Sequence, residues 1–172
     1  MPYLIASHIL IGGLCLIELL LIIGMIRRLR QHTEQLRQVS NPVLGIGLGE
    51  TPAEFQAETV SGERLNRESV RDAVVGFLSP TCEPCMSALP DFVSYAAEAG
   101  NAVAVVIAVE DEDCGDIVAE LEPVAKVVVA QREASMPLAF KVKGTPTFVA
   151  MKAGKVAVGA NDVQSLRATV HA

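Results

Sequence analysis

The sequence is short of the residues that metal and nucleic-acid chemistry require. Its 172 residues include four cysteines and three histidines. Cys15 and Cys114 stand alone, and His8, His32 and His171 form no H-x-x-x-H pair. A tetrahedral zinc site of closely spaced ligands therefore lacks its second half. Cations are scarce beyond the first third, where from Glu50 onward ten Lys and Arg face eighteen Asp and Glu. That balance excludes nucleic acid as the expected partner. No Lys or Arg precedes the first apolar run, so the basic start of a cleaved signal peptide is missing. Internal repeats and low-complexity tracts are absent too.

The first thing present is that apolar run. Residues 3–26 are almost wholly apolar, which accounts for the 51% hydrophobic content and the mean hydropathy of +0.38. At a rise of about 1.5 Å per residue they reach across about 30 Å of hydrocarbon, and an uncleaved single-pass transmembrane helix is expected. His8, Gly12, Cys15 and Glu18 fall on one side of it at helical spacing. A charge at Glu18 costs about 2.5–3.5 kcal/mol at mid-bilayer; either the carboxyl is protonated or snorkels, or this stripe meets a second membrane protein. Cys15 is read as a small apolar residue of the span. Residues 27–52 form a basic collar and linker: from Arg27 to Ser40 four Arg stand against Glu34 alone, then come the breakers Ser40-Asn41-Pro42 and Gly45-Ile46-Gly47-Leu48-Gly49. Membrane lipid with anionic headgroups is a natural partner of that collar. Orientation is contested, because the collar favours a cytoplasmic domain whereas the thiol chemistry described next favours an oxidising compartment. The expectation adopted is the inner (cytoplasmic) membrane, with the following domain in the periplasm.

Residues 53–172 read as one α/β domain. A hairpin is expected around Ser61-Gly62, from strand-like segments at 55–60 and 63–65. Strands follow at 73–78, 102–109 and 126–130, with a second hairpin of 147–151 and 155–159 turning at Ala153-Gly154. Helices are expected over 86–99, 116–121, 132–140 and 163–170. Strands alternating with helices and ending in a hairpin give a mixed sheet flanked by helices on both faces.

The segment with chemistry is Cys82-Glu83-Pro84-Cys85, placed where a strand hands over to a helix. A helix N-terminus offers free backbone N–H groups and the positive end of the dipole, both of which stabilise a thiolate. The thiolate is the species that attacks disulfides, so thiol–disulfide exchange is indicated. Cys82, nearer the helix start, is the candidate nucleophile; Cys85, more buried, is the candidate resolving thiol; Pro84 stiffens the loop. Glu83 places a negative charge between the two sulfurs and opposes thiolate formation, which points to a reductant or isomerase rather than a strong oxidant. No cofactor or metal is required. The run Glu110-Asp111-Glu112-Asp113-Cys114-Gly115-Asp116 reads as a solvated loop before it reads as a cation site or a third redox thiol.

Taken together these residues resemble the thioredoxin family. Cys82-Glu83-Pro84-Cys85 matches its redox motif, Pro90 matches the proline that kinks its active-site helix, and Thr145-Pro146 matches its cis-proline loop, which implies that Thr145 and Pro146 present backbone to the substrate. The early hairpin and the extra segment 110–123 resemble the membrane-anchored thioredoxins of cytochrome-c maturation. The lead-in Phe77-Leu78-Ser79-Pro80-Thr81-Cys82, with no aromatic before the first cysteine, is most similar to the accessory protein of methylamine dehydrogenase (MauD type). That resemblance implies a disulfide-containing protein substrate, the small subunit of methylamine dehydrogenase, and a polytopic membrane electron donor. One departure stands out: where thioredoxins often bury an acid six positions before the first cysteine, this chain has Gly76. A copper chaperone of this fold would want C-x-x-x-C and a downstream histidine, a structural module would leave the dithiol idle, and a peroxidase usually lacks the second cysteine.

Overall fold

A computed structural model describes residues 45–170 together with Gly12 and Gly13. The chain divides into two units, Met1–Asn41 and Pro42–Ala172. The expected membrane span, its stripe apart from Gly12, and the arginine collar lie outside the described residues. Among the described residues no helix is long and apolar enough to cross a membrane.

The first strands are brief. β1 (Gln56–Glu58) and β2 (Arg64–Asn66) pair antiparallel over three residues and stand apart from the main sheet. The hairpin is shorter than its apolar pattern predicts because its turn has other bonding partners. The Glu63 amide donates to Thr59 Oγ1 (2.9 Å), and the Val60 amide donates to the Val127 carbonyl on the edge of the main sheet (2.8 Å).

The main sheet has five strands in the order β5-β4-β3-β6-β7. β3 (Val74–Leu78) and β4 (Ala102–Ile107) are buried at every position, which is why they are apolar throughout rather than alternating. Both run parallel to β5 (Lys126–Ala130). β6 (Thr147–Lys152) is antiparallel to β3, and β7 (Lys155–Ala160) antiparallel to β6. The β6–β7 turn places Ala153 at φ 51° and Gly154 at φ 77°, the left-handed pair that a tight two-residue hairpin demands. It is pinned to the start of β3, since the Ala153 amide donates to Asp72 Oδ1 (2.7 Å) and the Gly154 amide to the Arg71 carbonyl (3.0 Å).

Alternation along the central strands sorts side chains into two cores. Val75, Phe77, Val103 and Val105 join Phe55, Met136 and Phe140 on one face. Val74, Leu78, Ala104 and Val106 join Leu89, Phe92, Ile117 and Leu166 on the other. Helices α1 (Glu83–Ala99), α2 (Gly115–Leu121) and α4 (Val163–Val170) supply the second core, and α3 (Ser135–Ala139) the first. Arg167 fastens α4 to α1 through Glu98 (2.9 Å) and by stacking 5.1 Å above the Tyr95 ring.

Two expectations change. Residues 45–52, read as linker, are built into the domain: Ile46 is fully buried, its amide donates to the Phe140 carbonyl (2.7 Å), and the Gly49 amide and Glu50 carbonyl bond Val156 of β7. Ile46 is the reason, a large apolar side chain among glycines that the first core takes up. The helix expected over 132–140 contracts to Ser135–Ala139, because the chain leaving β5 turns at Gln131–Ala134 and Ala134 is extended at φ −67°, ψ 159°.

Candidate active site

Parallel pairing of β3 and β4, with Leu78 opposite Val106, sends the loops after both strands out at the same end of the sheet. The loop after β3 delivers the dithiol. Cys82 is the N-cap of α1, extended at φ −93°, ψ 103°. The Cys85 amide lies 3.3 Å from Cys82 Sγ and donates to the Cys82 carbonyl at 2.9 Å; the Met86 amide donates to the same carbonyl at 3.1 Å. The two carbonyl bonds are the first bonds of the helix itself; the Cys85 amide is the first-turn N–H that also reaches the sulfur, and with the positive end of the helix dipole it favours the Cys82 thiolate. Glu83 and Pro84 follow, both exposed, and Pro84 occupies a first-turn position where no N–H is needed.

Cys82 and Cys85 are joined as a disulfide, with their Cα atoms 5.2 Å apart. Cys82 is half-buried. Cys85 is 0% exposed, packed in the core of Leu78, Leu89 and Phe92. The sulfur open to another molecule is therefore that of Cys82.

From the other flank comes the loop before β6. The Thr145–Pro146 peptide bond is cis, Pro146 is buried and Thr145 half-buried, and the Thr145 carbonyl oxygen lies 3.5 Å from Cys82 Sγ. The Thr147 hydroxyl, fully buried, donates to the Gly144 carbonyl (2.8 Å) and holds the loop. Thr145 and Pro146 are thus brought beside the dithiol, 63 residues away in sequence. Pro90 lies within α1 on its exposed side, where its ring removes the N–H that would bond the Met86 carbonyl.

The glycine at position 76 has a steric cause that sequence reasoning missed. A Cβ there would lie 2.6 Å from Phe92 Cζ and 2.8 Å from Cε2, and the Phe92 ring stacks on Phe148 with centroids 5.2 Å apart. An acidic side chain at 76 is excluded by that ring. Glycine amid an apolar buried strand was the available signal, for it marks close approach by another group. Among the described residues the buried polar side chains are Thr59 and Thr147, so no buried carboxylate accompanies Cys85.

Cys114 is half-buried and carries a free thiol. It is the N-cap residue of α2, but its side chain makes no capping bond; its thiol donates to the Glu112 carbonyl (3.5 Å). Burial first, then Glu112 and Asp113, push its pKa up. The surrounding acids close their own loop: Glu112 Oε2 accepts from the Val109 amide and Asp113 Oδ1 from the Gly115 amide, each at 2.9 Å. Among the described residues no three potential metal ligands gather.

No protein-family model matches the chain, and no curated protein matches it in sequence. Solved structures do match it. The thioredoxin domain of a thiol-disulfide oxidoreductase from Bacteroides vulgatus superposes with a TM-score of 0.59 at 16% identity, covering 73% of this chain and 96% of that one. A thio-disulfide isomerase from Thermus thermophilus gives 0.55 at 23% identity, covering 73% and 96%. A secreted disulfide oxidoreductase from Mycobacterium tuberculosis gives 0.55 at 20% identity, covering 68% and 94%. The domain has the thioredoxin fold. Fold and disulfide-forming Cys-x-x-Cys together are the equipment of a thioredoxin-type thiol–disulfide oxidoreductase.

Proposed function

We propose that the protein is a membrane-tethered thiol–disulfide oxidoreductase whose domain works in the periplasm as a reductase or isomerase. The observation that carries the chemistry is the unequal pair: Cys82 accessible at a helix N-terminus and 3.5 Å from the Thr145 carbonyl, Cys85 wholly buried behind it. The Cys82 thiolate attacks one sulfur of a substrate disulfide; that bond breaks, a mixed disulfide forms, and the departing substrate thiolate takes up a proton. Cys85 then loses its proton and attacks Cys82 Sγ. The mixed disulfide breaks, the second substrate thiol leaves, and Cys82–Cys85 is oxidised as the substrate gains two electrons. When a thiol of the substrate resolves the mixed disulfide first, the outcome is isomerisation. Thr145 and Pro146 line the approach to Cys82.

The apolar run at 3–26 supports a tether, and the redox chemistry supports the periplasmic side against the arginine collar. Re-reduction falls to a dithiol donor, for which we propose a polytopic membrane protein meeting the stripe of His8, Gly12, Cys15 and Glu18. The lead-in Phe77–Cys82 supports the small subunit of methylamine dehydrogenase as substrate, with assistance to its correct disulfide formation, by reducing and isomerising wrong pairings, as the role. The β1–β2 hairpin favours a second reading, a thiol reductant of the cytochrome-c-maturation type.

Insulin reduction tests the chemistry. The full chain in detergent with dithiothreitol should precipitate insulin B chain well above the dithiothreitol blank, and Cys82→Ser should return the rate to that blank. Wild type indistinguishable from Cys82→Ser would leave only a structural module.

A further inference from the structure

Between Arg71 and Lys126 the sequence contains no Lys, Arg or His, against eleven Asp and Glu. This stretch is β3, α1, β4 and α2; Glu83 and the run 110–113 fall at its dithiol end, whereas Asp72, Glu98, Glu120 and Glu122 fall toward the other end. Some of its acids are engaged: Asp72 takes the Ala153 amide, Glu98 pairs with Arg167, and Glu112 and Asp113 take amides of their own loop. Glu83, Glu110 and Asp111 are exposed, and among the described residues none of the three forms an ion pair. Two large apolar side chains are exposed at the same end, Met86 of α1 at 40% and Val109 after β4 at 73%. The cations at this end, Arg132 and Lys143, belong to the loops after β5 and before β6, where Arg132 Nη1 donates to the Lys143 carbonyl (3.3 Å). Glu83, Glu110 and Asp111 thus stand at the dithiol end without an ion pair among the described residues, whereas Arg132, next to the exposed Glu133, and Lys143 belong to the loops after β5 and before β6.

We propose that this surface selects substrates whose disulfide sits in a cationic, partly apolar protein segment. The inference rests on the exchange reading above and names the substrate class of that same site. The anchor is the sulfur of Cys82. Apolar residues flanking the substrate cysteine cover Met86 and Val109, and Lys or Arg beside them face Glu83, Glu110 and Asp111. Charges of this kind act mainly by raising the encounter rate and by disfavouring like-charged partners, and exposed charges are screened as salt rises.

Three cyclic peptides test this, each closed by one disulfide and identical except that the flanking positions carry Lys, Gln or Glu. With the full chain at low ionic strength, kcat/KM for the Lys peptide should exceed that for the Gln peptide by about tenfold, with the Glu peptide slowest. The ratio should approach one by about 0.5 M salt, and Glu110→Gln with Asp111→Asn should lower it at low salt. A Lys-to-Gln ratio near one in the wild type, or one that salt leaves unchanged, overturns the proposal even if the paired variant does not fold. The Gln peptide reports exchange by itself: no reduction of any peptide removes the exchange reading and this inference with it.

Discussion

Glu83, between the two cysteines, is the residue whose substitution tests the proposed redox poise of the site. It is exposed and lies between a cysteine whose thiolate the helix start favours and a cysteine buried in apolar surroundings. Its charge opposes ionisation of Cys82, so removing it should lower the Cys82 pKa, stabilise the reduced form and raise the reduction potential. An exposed charge pair is worth no more than about 1 kcal/mol, which converts to about 20 mV for this two-electron couple. Glutathione equilibration of Glu83→Gln should show a rise of that order, and a fall would reverse the assigned role. Cys114 is the opposite case. Its pKa is raised by burial, then by Glu112 and Asp113, so at any given pH it holds less thiolate than an ordinary cysteine. Iodoacetamide should therefore alkylate it more slowly than Cys82 in the reduced protein, gaining speed only at pH above the usual thiol range. Cys114→Ser should leave insulin reduction unchanged; a substantial loss would make it part of the exchange cycle. The cysteine pair and its exposed acidic neighbour were legible from spacing alone. The raised pKa of Cys114 was not, because it depends on what the fold packs around that loop.

Elements hold the site through one aromatic contact. Phe92 of α1 lies over Gly76 of β3 and stacks on Phe148 of β6, so a single ring ties the helix that carries the dithiol to the strand that follows Thr145-Pro146. Gly76→Ala places a methyl against that ring and should cost about 1–3 kcal/mol by overpacking; Phe92→Ala should cost about 3–5 kcal/mol by leaving a cavity. Because the two share one contact they should not be additive, and the double variant in urea melts should be less destabilised than the sum. Full additivity would mean that the ring does not carry the coupling. The sequence showed that an acid was missing at 76 but not why, since Phe92 sits sixteen positions on and only the helix crossing brings it there. Similarly, the continuous apolar run at 102–109 announced a strand buried on both faces, whereas the three-rung hairpin and the short α3 depended on backbone bonds to Val127 and on the turn at Gln131–Ala134, which no periodicity reports.

At the scale of the whole molecule, a catalytic domain begins sooner after the apolar run than the breakers at 40–49 imply. Ile46, Gly49 and Glu50 are already bonded into it, and Lys141 Nζ bonds Glu50 Oε2 at 2.6 Å, holding that carboxyl below its ordinary range. The part of the chain free to act as spacer therefore ends before Gly45. The fold class was legible because strand, helix and turn signals agreed along 53–172; the apolar run and its orientation remain readings of sequence, and they meet the chemistry only in the choice of substrate. The most direct test replaces Cys85 by Ala, expresses the full chain in its native host, and identifies what is disulfide-linked to Cys82. The account predicts capture of an extracytoplasmic protein with cationic residues beside its cysteines, together with a membrane electron donor. Capture of cytoplasmic thiol proteins alone, or of nothing on Cys82, would contradict it.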